Sequence, residues 1–272
     1  MTNDLLKAYS QSRDLLVTEI TKTLSVDQRF LAAWLTGSFG RNDFDAVSDL
    51  DLTVVVSDEF SEKLCARPEM VSTQTTQERL DLIEKFGRVA VIHENNHNAP
   101  EGGTFTFALY VESALMVDWV LIPLKNSYRP HQSRLLFDKA GIPLAPKPTP
   151  ETLEQRVIDA SENVAFFWMM TAITAKYIVR RDNVFVQLWL EELHKLIKNV
   201  KRLVAGRPWE YKRGSVGSLA LTVNSQVNEL RRLCNDMLIL MPEVVKIGGK
   251  ISSSPVQAIE VLLNLAIQEN DL

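Results

Sequence analysis

The chain has 272 residues, enough for one large domain or two medium ones with real cores. Its 46% apolar and 24% charged residues are ordinary for a globular protein, and a formal net charge of −4 argues against a dedicated nucleic-acid binder, which is usually basic. No apolar run approaches the roughly 20 residues of a membrane span, the start MTNDLLKAYS lacks the pattern of a signal peptide, and Cys65 and Cys234 lie far apart in no zinc spacing, so a cytoplasmic protein with reduced thiols is expected.

The first predicted element is an amphipathic helix over residues 4–24, with Leu5, Leu6, Tyr9, Leu15, Leu16, Ile20 and Leu24 near helical spacing and Asp4 as its N-cap. An apolar strand, Phe30–Leu35, stops abruptly at Thr36-Gly37-Ser38. A short helix is expected over 39–45, and a second strand over 49–56. Side chains alternate along a strand, so Asp49 and Asp51 share one face, with Leu50 and Leu52 on the other. Two carboxylates side by side against an apolar core repel each other and are costly to desolvate. A divalent metal between them is the simplest remedy. Gly37 permits a tight turn, and its N–H and that of Ser38 can face a phosphate.

A polar stretch from residue 59 leads to a helix over 76–86 and a strand over 88–93. The Asn-, Pro- and Gly-rich segment 94–103 reads as an exposed loop. Residues 104–111 alternate Phe105, Phe107 and Leu109 against polar or small residues, the pattern of a half-buried strand. Residues 114–121, ALMVDWVL, form the next strand and contain one acid, Asp118. An unpaired charge there is costly, so Asp118 is either ion-paired to an Arg or part of a site. Residues 141–150 hold Pro143, Pro146, Pro148 and Pro150 and read as an interdomain linker. Beyond it, helices are expected over 150–181, 183–204, 218–241 and 255–268, suggesting an up-down bundle.

Hydrophobic–Gly–Ser, then residues 39–48, then Asp–hydrophobic–Asp–hydrophobic resembles the signature of the nucleotidyltransferase superfamily, to which DNA polymerase beta belongs. The form GSFGRN…SDLDL is similar to the small bacterial members, the minimal and the aminoglycoside- and lincosamide-type nucleotidyltransferases; Asn42 departs from the Gly usual at its position. The resemblance implies an α+β fold: a nucleotidyltransferase-type mixed β-sheet with flanking helices over 1–142, followed by an all-α helical bundle domain over 150–272. It implies Asp49, Asp51 and Asp118 as catalytic and metal-binding residues, Asp118 being the third acid of the family. Two Mg²⁺ ions, roughly 3.5–4 Å apart in such sites, would be held there. Gly37 and Ser38 would hold the phosphates of ATP or another nucleoside triphosphate, with Arg41 adding charge and Lys176, backed by Arg180, supplying a cation from the helical domain. Trp168, Trp189 and Trp209 are candidates for ring stacking, and Glu162 for a base. His93, His97, His131 and His194 show no ligand spacing.

The implied activity is adenylylation, or another nucleotidylation, of a small hydroxylated molecule, with an aminoglycoside- or lincosamide-like antibiotic among the candidate acceptors. Neither nucleic acid nor membrane is expected as a partner, and a homodimer is compatible because a second subunit completes the acceptor site in some relatives. One alternative makes the acceptor tRNA or a protein. Its only visible basic surface is Lys195, Lys198, Lys201, Arg202, Arg207, Lys212 and Arg213. Another is a non-catalytic module of the toxin–antitoxin type, which the intact acids count against.

Overall fold

The computed structural model describes residues 2–66, 75–95, 97–147, 149–208, 220–251 and 255–268. The chain divides into two compact units, Met1–Lys147 and Pro148–Leu272.

The first unit begins with α1 (Thr2–Val26) and β1 (Phe30–Leu35), then a single helical turn, α2 (Gly37–Arg41), and β2 (Leu50–Val56). Next come α3 (Asp58–Leu64), α4 (Gln77–Ile83), β3 (Val89–Glu94), β4 (Thr104–Tyr110), β5 (Met116–Pro123) and β6 (Arg134–Asp138). The six strands form one mixed sheet in the order β3-β4-β5-β2-β1-β6. Only β2 and β5 run parallel; the other neighbours are antiparallel.

Alternation along the strands divides the sheet into two unequal faces. Leu50, Leu52, Val54 and Val56 of β2 join Val117, Trp119 and Leu121 of β5 in the main core, which α1 covers with Leu16, Ile20 and Leu24, and α4 with Leu82 and Ile83. Burying each such side chain is worth about 1.5–3 kcal/mol. The opposite face carries a smaller cluster of Ala32, Trp34, Val55, Ile122 and Ile142. Asp51 and Asp118 belong to this second face.

The structure corrects several sequence expectations. Leu5 and Leu15 are 73% and 70% exposed, and Leu6 is exposed too. The inward stripe of α1 instead runs through Tyr9, Arg13, Leu16, Val17, Ile20 and Leu24. On β4, Thr104, Thr106, Ala108 and Tyr110 face the main core, leaving Phe105, Phe107 and Leu109 half-buried on the second face. Thr106 can face inward because its hydroxyl donates to the buried Glu94 carboxylate at 2.9 Å. Neither α3 nor β6 was anticipated. The helix expected over 39–45 starts at Gly37, whose φ of +55° turns the chain straight from strand to helix, and it ends at Asn42 in the left-handed region. The first residues of the Pro-rich segment pack onto the first unit: Ile142 is buried, and Arg129 exchanges backbone hydrogen bonds with Pro143 and Ala145.

The second unit is all helix among its described residues: α5 (Leu153–Val179), α6 (Asn183–Val204), α7 (Val223–Lys246) and α8 (Val256–Gln268). Side chains of Thr152, Asp182 and Thr222 cap the first three by accepting backbone N–H groups. Capping by Thr152 moves the start of α5 inward from Pro150, and α7 continues through Pro242 beyond the expected end at 241. α5 packs against each of the other three helices around Phe167, Leu193, Leu230, Met237 and Leu263. Among the described residues, no helix is long and apolar enough to cross a membrane.

Candidate functional site

β2 and β5 lie side by side in parallel, and their register pairs Asp51 with Asp118. Paired residues project from the same face of a sheet, so the two carboxylates face outward together. Asp49 sits just before the strand rather than in it, exposed, two residues from Asp51. The register continues outward from Asp118 to Phe107 on β4 and from Phe107 to His93 on β3.

Gly37 joins this row from the other side. The Thr36 N–H donates to the Asp51 carbonyl at 2.8 Å, tying the end of β1 to the centre of the acid motif. A Cβ at position 37 would lie 1.7 Å from Asp51 Oδ2, so only glycine lets the turn and the carboxylate meet. The positive φ at this residue selects glycine independently. Beside it, Ser38 Oγ is buried with no hydrogen-bond partner among the described residues, an uncommon and costly state that a ligand would relieve. Gly40 is also confined, because a Cβ there would meet the Gln132 carbonyl oxygen at 2.3 Å.

The electrostatics of the row are unbalanced. Burial, followed by repulsion from Asp49, raises the Asp51 pKa above the usual carboxylate range, and Arg41 partly opposes the rise. Asp118 is pushed up to about 7, by burial first and then by the charges of Asp51 and Asp49. Neither carboxylate makes a hydrogen bond or ion pair among the described residues, and Asp118 has no Arg partner there. The Arg41 guanidinium is held by Asp43, with Nε 3.2 Å from Oδ2.

The acids therefore form an in-register pair on one face, Asp51 and Asp118, with Asp49 at the entrance to the strand. Among the described residues no group of three or more His, Cys, Asp or Glu is arranged to hold a metal ion. The chemistry of the pair still suits a hard divalent cation: it offers carboxylate oxygens whose mutual repulsion only added positive charge can relieve.

The remaining sequence candidates lie elsewhere. Lys176 and Arg180 belong to the second unit, both exposed, with their charged ends 5.4 and 5.2 Å from the Tyr177 ring centroid. Trp168 is buried in the core of that unit, and Trp189 packs edge-on to Phe166 at 6.1 Å. Glu162 is exposed on α5. His194 pairs with Glu229 at 2.7 Å. Of the basic cluster, Lys195 is paired with Glu192 and Arg202 with Glu151, which removes part of its free charge. Trp209, Lys212 and Arg213 lie outside the described residues. Both cysteines are buried free thiols, and burial pushes each up to about 12.

Sequence reasoning missed Arg13, which is 2% exposed and lies directly behind the acid loop. Its signal was present: it falls four residues before Val17 and three before Leu16, on the inward stripe of α1. Arginine at such a spacing reads as solvent-facing until a partner is known.

A family model described as "Nucleotidyltransferase domain" matches residues 19–95. The matched segment includes Gly37, Ser38, Arg41, Asp49 and Asp51 and ends before Asp118. No curated protein matches the chain. The family match supports the nucleotidyltransferase superfamily for this segment and generic nucleotidyl transfer as its chemistry. The mixed sheet with helices is consistent with the fold of that superfamily.

Proposed function

We propose that the first unit transfers a nucleoside monophosphate, with AMP the first candidate, from a nucleoside triphosphate to a hydroxyl of a small molecule. The observation that carries the reading is one row of the sheet: Asp51 lies against Gly37 on one side and in register with Asp118 on the other. A phosphate-accepting turn and an uncompensated acid pair are thereby joined in one place.

In this reading the Gly37 and Ser38 N–H groups, with the unpartnered Ser38 hydroxyl, bind the phosphates. Arg41 adds positive charge at that end. Asp118, in register with Asp51 on the acid face, is the candidate to take the acceptor's proton. The acceptor oxygen attacks the α-phosphorus, the bond from that phosphorus to the bridging oxygen of the β-phosphate breaks, and pyrophosphate leaves with the bonding electrons. The hydroxyl proton passes to Asp118. Asp49, Asp51 and Asp118 would hold Mg²⁺, which when bound neutralises triphosphate charge and polarises the acceptor hydroxyl.

A small acceptor is favoured by what lies beyond Asp118. Phe107 is its cross-strand neighbour and Phe105 lies along the same strand, two half-buried rings on the acid face. They offer an apolar wall rather than the basic surface a tRNA would need. The net charge of −4 points the same way.

The test is incubation of the purified protein with Mg²⁺, ATP and a panel of hydroxylated small molecules that includes aminoglycosides and lincosamides. Pyrophosphate release with a product heavier by one nucleotide is the expected result. No Mg·NTP binding and no pyrophosphate release with any acceptor would overturn the reading.

A further inference from the structure

Arg13 precedes the segment matched by the family model, yet it touches the loop on which the site depends. From α1 its guanidinium reaches behind residues 42–48, the connection between the Gly37-Ser38 turn and Asp49. Nη1 donates to the Asp45 carbonyl at 2.7 Å and to the Ser48 carbonyl at 3.2 Å. The same group lies over two aromatic rings, 4.8 Å from the Phe39 centroid and 5.7 Å from that of Phe44. Those rings are themselves stacked at 4.3 Å, joining α2 to the loop. A buried guanidinium with carbonyl oxygens on one side and aromatic faces on the other is stable only while all of these stay in place.

The loop has bracing of its own. The Asp45 carboxylate accepts from Val47 N and Ser48 Oγ, both at 3.0 Å, and Ser48 Oγ accepts from Asp45 N at 2.9 Å. This makes a closed turn but does not attach it to the rest of the unit. Arg13 ties the turn to α1 at the Asp45 and Ser48 carbonyls, the second of them on the residue before Asp49, whose side chain makes no hydrogen bond among the described residues.

We propose that Arg13 is a positioning residue of the site: by clamping the Asp45 and Ser48 carbonyls and the Phe39–Phe44 pair, it holds Asp49 and the Gly37-Ser38 turn in one fixed relation. Its importance for catalysis rests on the nucleotidyl-transfer reading given above; its mechanical role in the loop does not. Arg13 makes no hydrogen bond or ion pair with Asp49, Asp51 or Asp118; apart from the loop it pairs with Asp14 on its own helix, Nη2 lying 3.5 Å from Oδ1.

The experiment compares wild type with Arg13→Met and Arg13→Lys by amide hydrogen exchange and by calorimetric titration with Mg·ATP. Faster exchange is expected at residues 42–49 in Arg13→Met, with β4 and β5 unchanged. Mg·ATP affinity should fall by about 10–100-fold, the usual cost of removing a residue that orients a ligand-binding group. Arg13→Lys keeps a buried cation and one donor, so it should recover much of both. Should Arg13→Met not fold, Arg13→Lys and Phe44→Leu carry the same comparison, since Phe44 is 41% exposed and its removal leaves the core filled. Unchanged exchange at 42–49, or a rise spread evenly over the whole sheet, would overturn the proposal, as would a folded Arg13→Met with wild-type affinity. If wild type itself binds no Mg·ATP, the transfer reading falls, and the exchange comparison still decides the role of Arg13 in the loop.

Discussion

Two acids in the same sheet show opposite solutions to one physical problem. Glu94 ends β3 on the face toward the main core and is 1% exposed. There it receives Arg79 Nε at 2.7 Å, Arg79 Nη2 at 2.9 Å and the Thr106 hydroxyl at 2.9 Å, with Thr75 adding a further donor. Arg79 is equally buried, and its remaining nitrogen donates to the Ala66 carbonyl at 2.9 Å. Asp118, on the other face, has no such partner among the described residues, and its neighbours in charge are Asp51 and Asp49. A fully satisfied buried acid serves the fold. An acid kept beside like charge with no donor destabilises the empty protein, so its retention calls for a ligand that brings positive charge.

The widest separation between the two kinds of acid should appear in activity. Asp51→Asn removes one charge from the pair without changing its shape. It is expected to abolish Mg²⁺-dependent pyrophosphate release while the circular dichroism spectrum stays unchanged. Asp118→Asn should lower turnover by about 10²–10⁴-fold, the range for loss of a general base. Wild-type turnover in both variants would place the chemistry elsewhere.

Stability should separate them in the other direction. Arg79→Met leaves Glu94 buried without its counter-charge and is expected to cost about 3–5 kcal/mol in urea unfolding. A loss under about 1 kcal/mol would mean that water or another group satisfies Glu94. A smaller cost is expected from Gly37→Ala: about 1–2 kcal/mol for the left-handed backbone, together with displacement of the Asp51 carboxylate by the new methyl group. Mg·ATP binding to that variant, measured by calorimetry, should weaken.

The finest test is the pH dependence of Asp118. Its pKa rises from the ordinary aspartate value of 3.8 to about 7 in the folded protein, so the folded state binds the proton more readily than the unfolded one. The destabilisation is complete above pH 7 and is relieved as pH falls from 7 toward 4. Asn carries no charge at any of these values. Without divalent metal, Asp118→Asn should therefore melt a few degrees above wild type at pH 8, about 2–4 °C per kcal/mol recovered. The gain should shrink to nothing by pH 4. Equal melting temperatures at both pH values would show that solvent already relieves the charge on Asp118.

Much of this was written locally in the chain. The segments 30–35 and 49–56 read as strands, and the spacings after residue 150 as helices, because each pattern sets which side chains share a face. Gly37-Ser38, Asp49 and Asp51 stand close in sequence, so their grouping needed no knowledge of the fold. Asp118 was visible because a single acid in an apolar strand requires an explanation. What local pattern could not decide was which face and which neighbour. Phe105 and Phe107 look like core residues until β4 is placed antiparallel to β5 with Phe107 opposite Asp118; that register turns the phenylalanines to the acid face and gives the core face to two threonines. Arg13 and Arg79 look like solvated charges until α1 brings one beneath the acid loop and α4 brings the other to Glu94. Burial of a charge is a property of the surroundings, and only the tertiary structure supplies those.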